Sequence, residues 1–521
     1  MAVEQRSVSP QGRCYCLELS FIQYELGIGD GSSLKLLCCP VVSRGRGRPR
    51  PCALLLLVTA GEAGQSHSDM SLPCVPRFFR RIVPVVCFAA FSCSAAIVGT
   101  NTPAPRLTEA RVAALPADEA AAWKEYLARS AARRKADQAA LAEELRKHNL
   151  KHISIPPSAG RGGRTLPLHR PSEWYAGDEA RRIADIVLSF QTPSGGWSKN
   201  LNMMSKPRAP GMHFAPENSS RFAGEGDFDL SSDASWNYVG TLDNGGTTMQ
   251  LEFLARVIAA GEETDTRRWR EAFLRGLDYL FAAQYPNGGW PQVWPLAGSY
   301  HDAVTYNDHA MNNVLALLHS VASAAKPFDF VPAEYRELAR KSFERGLECL
   351  LKTQVVVNGK RTAWAQQYDA LTLQPTSARN YEMPSIAAAE SASITLFLMQ
   401  LPDPSPAVVA AVRDAVAWFE KTRIFDIAYR NVGNEGPKRV DAPGAGPLWA
   451  RYYEIGTDRP LFGDRDKTIH DDVNEISRER RIGYAWYVDS PLEVLERYAK
   501  WREQHGRREQ GGSSAPSDAD E

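Results

Sequence analysis

Two short stretches carry residues that could hold a hard cation. GTLDNGGTTMQ places Asp243 and Asn244 just ahead of a helical segment, and TYNDHAMNN places Asn307 and Asp308 ahead of another. Carboxylate and amide oxygens are the ligands that Ca²⁺ prefers, and loops from separate helix pairs can converge on one ion. Neither pair has the spacing of an EF-hand loop. Asp or Asn in this position also caps a helix N-terminus, so each pair has a structural use beside the chemical one. A second set is cationic. TAWAQQYDALTLQPTSARNYEMPS puts Arg379 in a loop beside Tyr381, and LWARYYEI, LFGDRDKTI and ERRIGYAWY supply Arg451, Arg465, and Arg480 with Arg481. Guanidinium forks grip carboxylates through paired hydrogen bonds, so arginines from several loops make a row of subsites for a polyanionic chain. A surface ion pair is the ordinary use of any one of them; their recurrence among aromatic and turn residues argues for the subsites. Lys199 directly follows a Gly-Gly-Trp turn, where an ammonium can project into a cleft.

The elements that must position these groups read as helices. After residue 170 the pattern is amphipathic helix, long loop, amphipathic helix, as in GDEARRIADIVLSFQ, TTMQLEFLARVIAAG and TRRWREAFLRGLDYLFAAQ, and sustained strand alternation is scarce. A repeat lies within the pattern: SFQTPSGGWSKN at 189–200 recurs as AAQYPNGGWPQV at 282–293 and, more weakly, as KTQVVVNGKRTAW at 352–364. Each copy ends a helix with Gln, a Gly-containing turn and an aromatic anchor. Helix pairs closed in this way predict an all-α toroid with its loops gathered at one end as a cleft. Trp197, Trp290 and Trp364 serve either that cleft or the stapling of the helix pairs.

The chain carries 61 Lys+Arg against 61 Asp+Glu, so no bulk positive field draws it to nucleic acid. Eight of its nine cysteines precede residue 100 and only Cys349 follows, which excludes a disulfide framework in the helical part. MSLPCVPRFFRRIVPVVCFAAFSCSAA, from Met70, has the basic, apolar and small-residue segments of a secretory leader. Residues 1–69 are expected to be a mispredicted or disordered extension, 70–96 a signal peptide, 97–170 a helical arm and linker, 171–504 the main domain, and 505–521 a disordered tail. A secreted or periplasmic protein without stable membrane insertion follows. Acylation at Cys93 is the minor alternative.

QTPSGGWSKN, TLDNGGTTMQLEFLARV, GLDYLFAAQYPNGGWPQVWP, TYNDHAMNNVL, RNYEMPS, WARYYEIGTDRPLFGDRD and ERRIGYAWY together resemble the pectate lyases of polysaccharide lyase family ten, from about Ala110 to about Tyr487. The resemblance implies a mainly helical (α/α)₃-type toroid, an incomplete α-barrel with long cleft-forming loops and few short strands. It also implies Ca²⁺-dependent β-elimination of polygalacturonate to 4,5-unsaturated oligogalacturonides, and the protein is expected to be a monomer. On that resemblance Asp243, Asn244 and Asp308 form the calcium region, Arg379 is the Brønsted base, and Lys199, Asn307, Tyr381, Arg451, Arg465 and Arg480 bind substrate. Arg379 must then lose a proton that guanidinium ordinarily keeps, so burial, neighbouring cations and Ca²⁺ are expected to lower its pKa. Ala365 and Tyr368 depart from the family pattern, which has Cys and His there. Two other readings are a helical-toroid glycoside hydrolase, with Asp243 and Asp308 as its carboxylates, and a non-catalytic pectin-binding surface protein. A polyene-cyclase scaffold also has such Gln, Gly, Trp turns, but its apolar substrate does not suit the Arg, Lys and Asn of these loops.

Overall fold

Apolar residues at helical spacing dominate the chain from residue 109, and helices α1 (Glu109–Ala113), α2 (Ala117–Lys147), α3 (Asp178–Ser189), α4 (Thr248–Ala260), α5 (Glu263–Ala283), α6 (Ala310–Ala322), α7 (Ala333–Lys352), α8 (Ala388–Gln400), α9 (Pro406–Lys421), α10 (Arg478–Gly483) and α11 (Ser490–His505) follow from it. The computed structural model describes residues 22–28, 32–38, 97–159, 166–218, 224 and 226–505. It divides into Met1–Ala90 and Phe91–Glu521. In the first unit, where no ordered element was expected, Ile22–Ile28 pairs antiparallel with Ser32–Cys38. The alternation IQYELGI gives the physical reason for that pairing. The leader-like stretch 70–96, Cys93 and the tail beyond His505 lie outside the described residues.

In the second unit the helices pack in two layers. α6 packs against both α4 and α8, and α3, α5, α7 and α9 lie outside them. The inner helices bury residues around most of their circumference, polar Gln250, Asn312 and Glu390 included, whereas α7 buries only a stripe. This is the helix-on-helix plan of an α/α toroid.

The repeat is the staple of that plan. Gln191 Nε2 donates to Gly195 O of its own turn and to Ala272 O of α5, each at 2.8 Å. Gln284 does the same to Gly288 O and Ser342 O of α7, and Gln354 to Thr362 O and Ala411 O of α9. Trp197, Trp290 and Trp364 turn their Nε1–H back to Val187 O, Leu280 O and Leu350 O of the preceding helix. The three indoles are fully buried, so they are core and not cleft surface. Gly195 and Gly288 sit at φ +103° and +93°, and a Cβ on either would lie 2.2 Å from a carbonyl of the next outer helix. Only glycine meets both conditions.

The loops from each outer helix to its inner partner gather at one end. An antiparallel sheet stiffens them in the order Ile97–Thr100, Thr468–His470, Pro460–Gly463, Tyr452–Tyr453, Ile386–Ala387. The arm packs onto the same end: Tyr126 Oη donates to Ala283 O, Asp137 accepts from Ser194 N, and Arg111 pairs with Asp369. Among the described residues no helix is long and apolar enough to cross a membrane.

Candidate active site

The two Asn/Asp pairs occupy equivalent places, each in a short 3₁₀ turn just ahead of an inner helix: Asp243–Gly245 before α4 and Asn307–His309 before α6. The turns touch each other. Asn244 and Asp308 adopt left-handed backbone at φ 53° and 49°, a conformation that short polar side chains tolerate better than most. Neither Asp caps its helix, because Thr247 and His309 hold the N-cap positions and no side chain bonds there.

Lys199, Asp243, Asn244, Asn307, Asp308, Arg379 and Arg451 all line one cavity of about 900 Å³. The ammonium of Lys199 pairs with Asp243 Oδ2 and sits 3.6 Å from the ring centre of Tyr238. Burial works to raise the Asp243 pKa, but the adjacent Lys199 holds it below the usual carboxylate range. Asp308 goes the other way: burial and then the Asp243 charge push it up to about 7. The two carboxylates are within reach of a shared proton. Asp243 Oδ1 is buried without a hydrogen-bond partner, as is Glu390 Oε2 nearby. An orphaned buried carboxylate oxygen facing a second carboxylate is the donor set of a hard cation site, with amide, water or ligand oxygens to complete it. Among the described residues no cluster of three or more acidic, His or Cys side chains supplements the pair.

Arg379 lies in the loop between the strand Gln367–Tyr368 and the strand Ile386–Ala387. Its Nε and Nη2 donate to the two oxygens of Glu382 at 2.8 and 2.5 Å. Burial would lower its pKa, but Glu382, Tyr381 and Tyr300 outweigh burial and raise it well above the ordinary guanidinium value. The expectation of a lowered pKa is therefore not met: a carboxylate three residues along holds the cation. Arg451 donates from Nη2 to Glu390 Oε1 at 2.6 Å and to Asn307 Oδ1 at 3.3 Å, which links the third inner helix to the acidic pair.

Three of the expected substrate contacts, Tyr381, Arg465 and Arg480, do not line this cavity. Tyr381 is buried and carries Arg379, Arg465 and Arg480 around its ring at 5.0, 5.5 and 4.3 Å. Arg465 and Arg480 both donate to Glu479 and do not line the cavity. Their aromatic setting is a stack on Tyr381 in which Arg480 is buried and Arg465 and Glu479 are partly exposed. Arg480, not Arg481, faces this side; Arg481 is spent on backbone carbonyls of Glu435, Pro437 and Ile476. Ala365 N–H donates to the buried Tyr368 hydroxyl, so the family departure closes on itself away from the cavity.

Sequence reasoning missed Glu382, Glu390, Tyr238, Tyr300, Gln292 and Tyr484. Tyr484 donates to Glu382 Oε1 at 2.6 Å and stacks beneath Arg451. It also missed Asn101, whose Nδ2 holds the carbonyls of Arg379 and Asn380.

A family model described as pectic acid lyase matches residues 191–495. Two solved structures share 32% identity and a TM-score of 0.52 with this chain, covering 65% of it. One is the family 10 polysaccharide lyase from Cellvibrio cellulosa, covered over 98% of its length. The other, covered over 99%, is a mutant of such a lyase from the same organism in complex with trigalaturonic acid. Comparison with curated proteins finds no match.

Proposed function

Since this chain belongs to the pectic acid lyase family and is a pectate lyase of polysaccharide lyase family 10, we propose that its cleft cleaves α-1,4-linked polygalacturonate by Ca²⁺-assisted β-elimination. The product is a 4,5-unsaturated oligogalacturonide. The observation that carries this reading is that Asp243, Asp308 and Arg379, from three separate loops, line one cavity.

The C5 proton of a galacturonate is hard to remove because the carbanion left behind adjoins a carboxylate that is already negative. Ca²⁺ held by Asp243 and Asp308, with amide oxygen from Asn244 and the uronate carboxylate, would supply Lewis-acid neutralisation of that charge. Lys199 and the part of the Arg451 fork that Glu390 does not engage attract and orient uronate carboxylates. Arg379 turns Nε and Nη2 toward Glu382, and Nη1, which that carboxylate does not engage, takes the C5 proton. A group whose pKa lies high must lose its proton first, so turnover rises toward alkaline pH. The departing O4 takes its proton from water.

The hydrolase reading fits less well. Its two carboxylates must stand roughly 5 to 9.5 Å apart across the scissile bond, whereas Asp243 and Asp308 are close enough to share a proton. The leader-like residues 70–96 support export to where such a polymer is met. The test is near-ultraviolet absorbance of the unsaturated product on polygalacturonate, first with Ca²⁺ and then with chelator, for the native protein and Arg379→Ala. The variant should bind polymer and not turn it over. Products that do not absorb, or activity indifferent to chelator, would overturn the reading.

A further inference from the structure

Glu382 is almost wholly buried, 2% exposed, at the floor of the cavity. Every contact it makes serves Arg379 or braces the carboxylate that does. It accepts from Arg379 backbone N at 3.0 Å, from Nε at 2.8 Å and from Nη2 at 2.5 Å, and its fourth donor is Tyr484 Oη at 2.6 Å. The backbone closes the same loop, with Glu382 N donating to Arg379 O and Ala378 N to Glu382 O. The rings of Tyr381 and Tyr484 stand 5.0 and 5.7 Å from the guanidinium carbon. About a third of the Arg379 side chain faces the cavity.

We propose that Glu382 is the positioning residue for Arg379: with Tyr484 it forms a rigid socket that grips one edge of a guanidinium and aims the remaining nitrogen at the substrate. The inference rests on Arg379 as the proton acceptor. A long side chain on a loop otherwise samples many rotamers, and a bidentate carboxylate confines it to one. Proton transfer needs heavy atoms at hydrogen-bond distance, and a misplacement of about 1 Å costs on the order of a hundredfold in rate. Both Glu382 oxygens are already taken up by Arg379 and Tyr484, so its removal should act on turnover and leave binding alone.

The experiment compares Glu382→Gln, Glu382→Asp, Arg379→Gly and the double variant Arg379→Gly/Glu382→Gln on polygalacturonate, with and without added guanidine. Glu382→Gln should lower kcat by about 10- to 100-fold with KM held within about twofold. Glu382→Asp, which keeps the charge and shortens the reach, should fall between it and the native protein and covers the case in which the amide variant does not fold. Guanidine should restore part of the kcat of Arg379→Gly and none in the double variant, because the socket is gone. Unchanged kcat in Glu382→Gln, a rise in KM that accounts for the loss, absence of rescue, or equal rescue with and without Glu382 would each overturn the proposal. Native turnover in Arg379→Gly would instead sink the reading of Arg379 as base.

Discussion

Asp308 gives the sharpest quantitative consequence of the acidic pair. Burial and the neighbouring Asp243 raise its pKa to about 7, well above the ordinary carboxylate value. A raised acid pKa means that the proton is kept to higher pH, so the cation-free protein holds it below about pH 7 and releases it above. A cation seated on the pair must displace that proton. At pH 6 the group is about nine-tenths protonated and at pH 8 about one-tenth, so Ca²⁺ should bind about tenfold more weakly at pH 6, a difference of ~1.4 kcal/mol. Titration calorimetry of the native protein in buffers of different ionisation enthalpy should show close to one proton released per ion at pH 6 and little at pH 8. Asp308→Asn, which has no proton to lose, should bind more weakly at both pH values and lose the pH dependence. Equal affinity of the native protein at the two pH values, or a heat independent of buffer at pH 6, would refute the account of the pair.

Three further outcomes follow from the packing and the buried charges. Trp364→Phe removes one of the two side-chain donors to Leu350 O, the other being Thr353 Oγ1, and leaves a void where a fully buried indole stood; denaturant unfolding should show a loss of about 1 to 3 kcal/mol, with turnover per folded molecule unchanged. Asp302 is buried, accepts from Ala297 N and Gly298 N, and burial raises its pKa to about 7. The unfolded chain therefore ionises near pH 4 while the native one holds its proton, and stability should fall by up to ~4 kcal/mol between about pH 4 and 7; urea titrations across that range should find the fall reduced in Asp302→Asn. Arg451→Lys keeps the charge but loses the fork that spans Glu390 and the cavity. Initial-rate kinetics on polygalacturonate should give KM raised by about tenfold, with kcat changed far less.

The helices and the acidic pair were legible because each rests on local signals. Apolar periodicity set α3 to α9, and the Gln, Gly, Trp repeat marked their joints. The Asp243-Asn244 and Asn307-Asp308 pairs recur at equivalent places ahead of inner helices, where left-handed backbone selects such residues. The cations were harder. Arg465 and Arg480 lie among aromatic residues as Arg379 and Arg451 do, and sequence cannot say which partner takes each guanidinium. Glu479 takes both. Glu382 stood within RNYEMPS, three residues after Arg379, a spacing that could have been read as a local ion pair. Glu390, Tyr484 and Asn101 reach the site only through tertiary contacts across 61, 102 and 278 residues.

Charge balance explains how this cleft can fold before any ion or polymer arrives. Two ionised carboxylates buried side by side would repel strongly and lack water to screen them. The protein avoids that state twice over. Lys199 neutralises Asp243 through a direct contact, and Asp308 keeps its proton up to about pH 7. Arg379 and Arg451, partly open to the cavity, each hold a buried dedicated carboxylate in Glu382 and Glu390. A divalent ion held by the pair as proposed would enter a site that is nearly neutral, by exchange for one proton, and would restore the Asp308 charge. A polyanion would then meet a cleft more positive with the ion than without it, since one proton leaves as two charges arrive. On the proposed function, metal and uronate binding would be coupled in the favourable direction, and a cation-free protein should bind polygalacturonate more weakly even though Lys199, Arg379 and Arg451 remain in place.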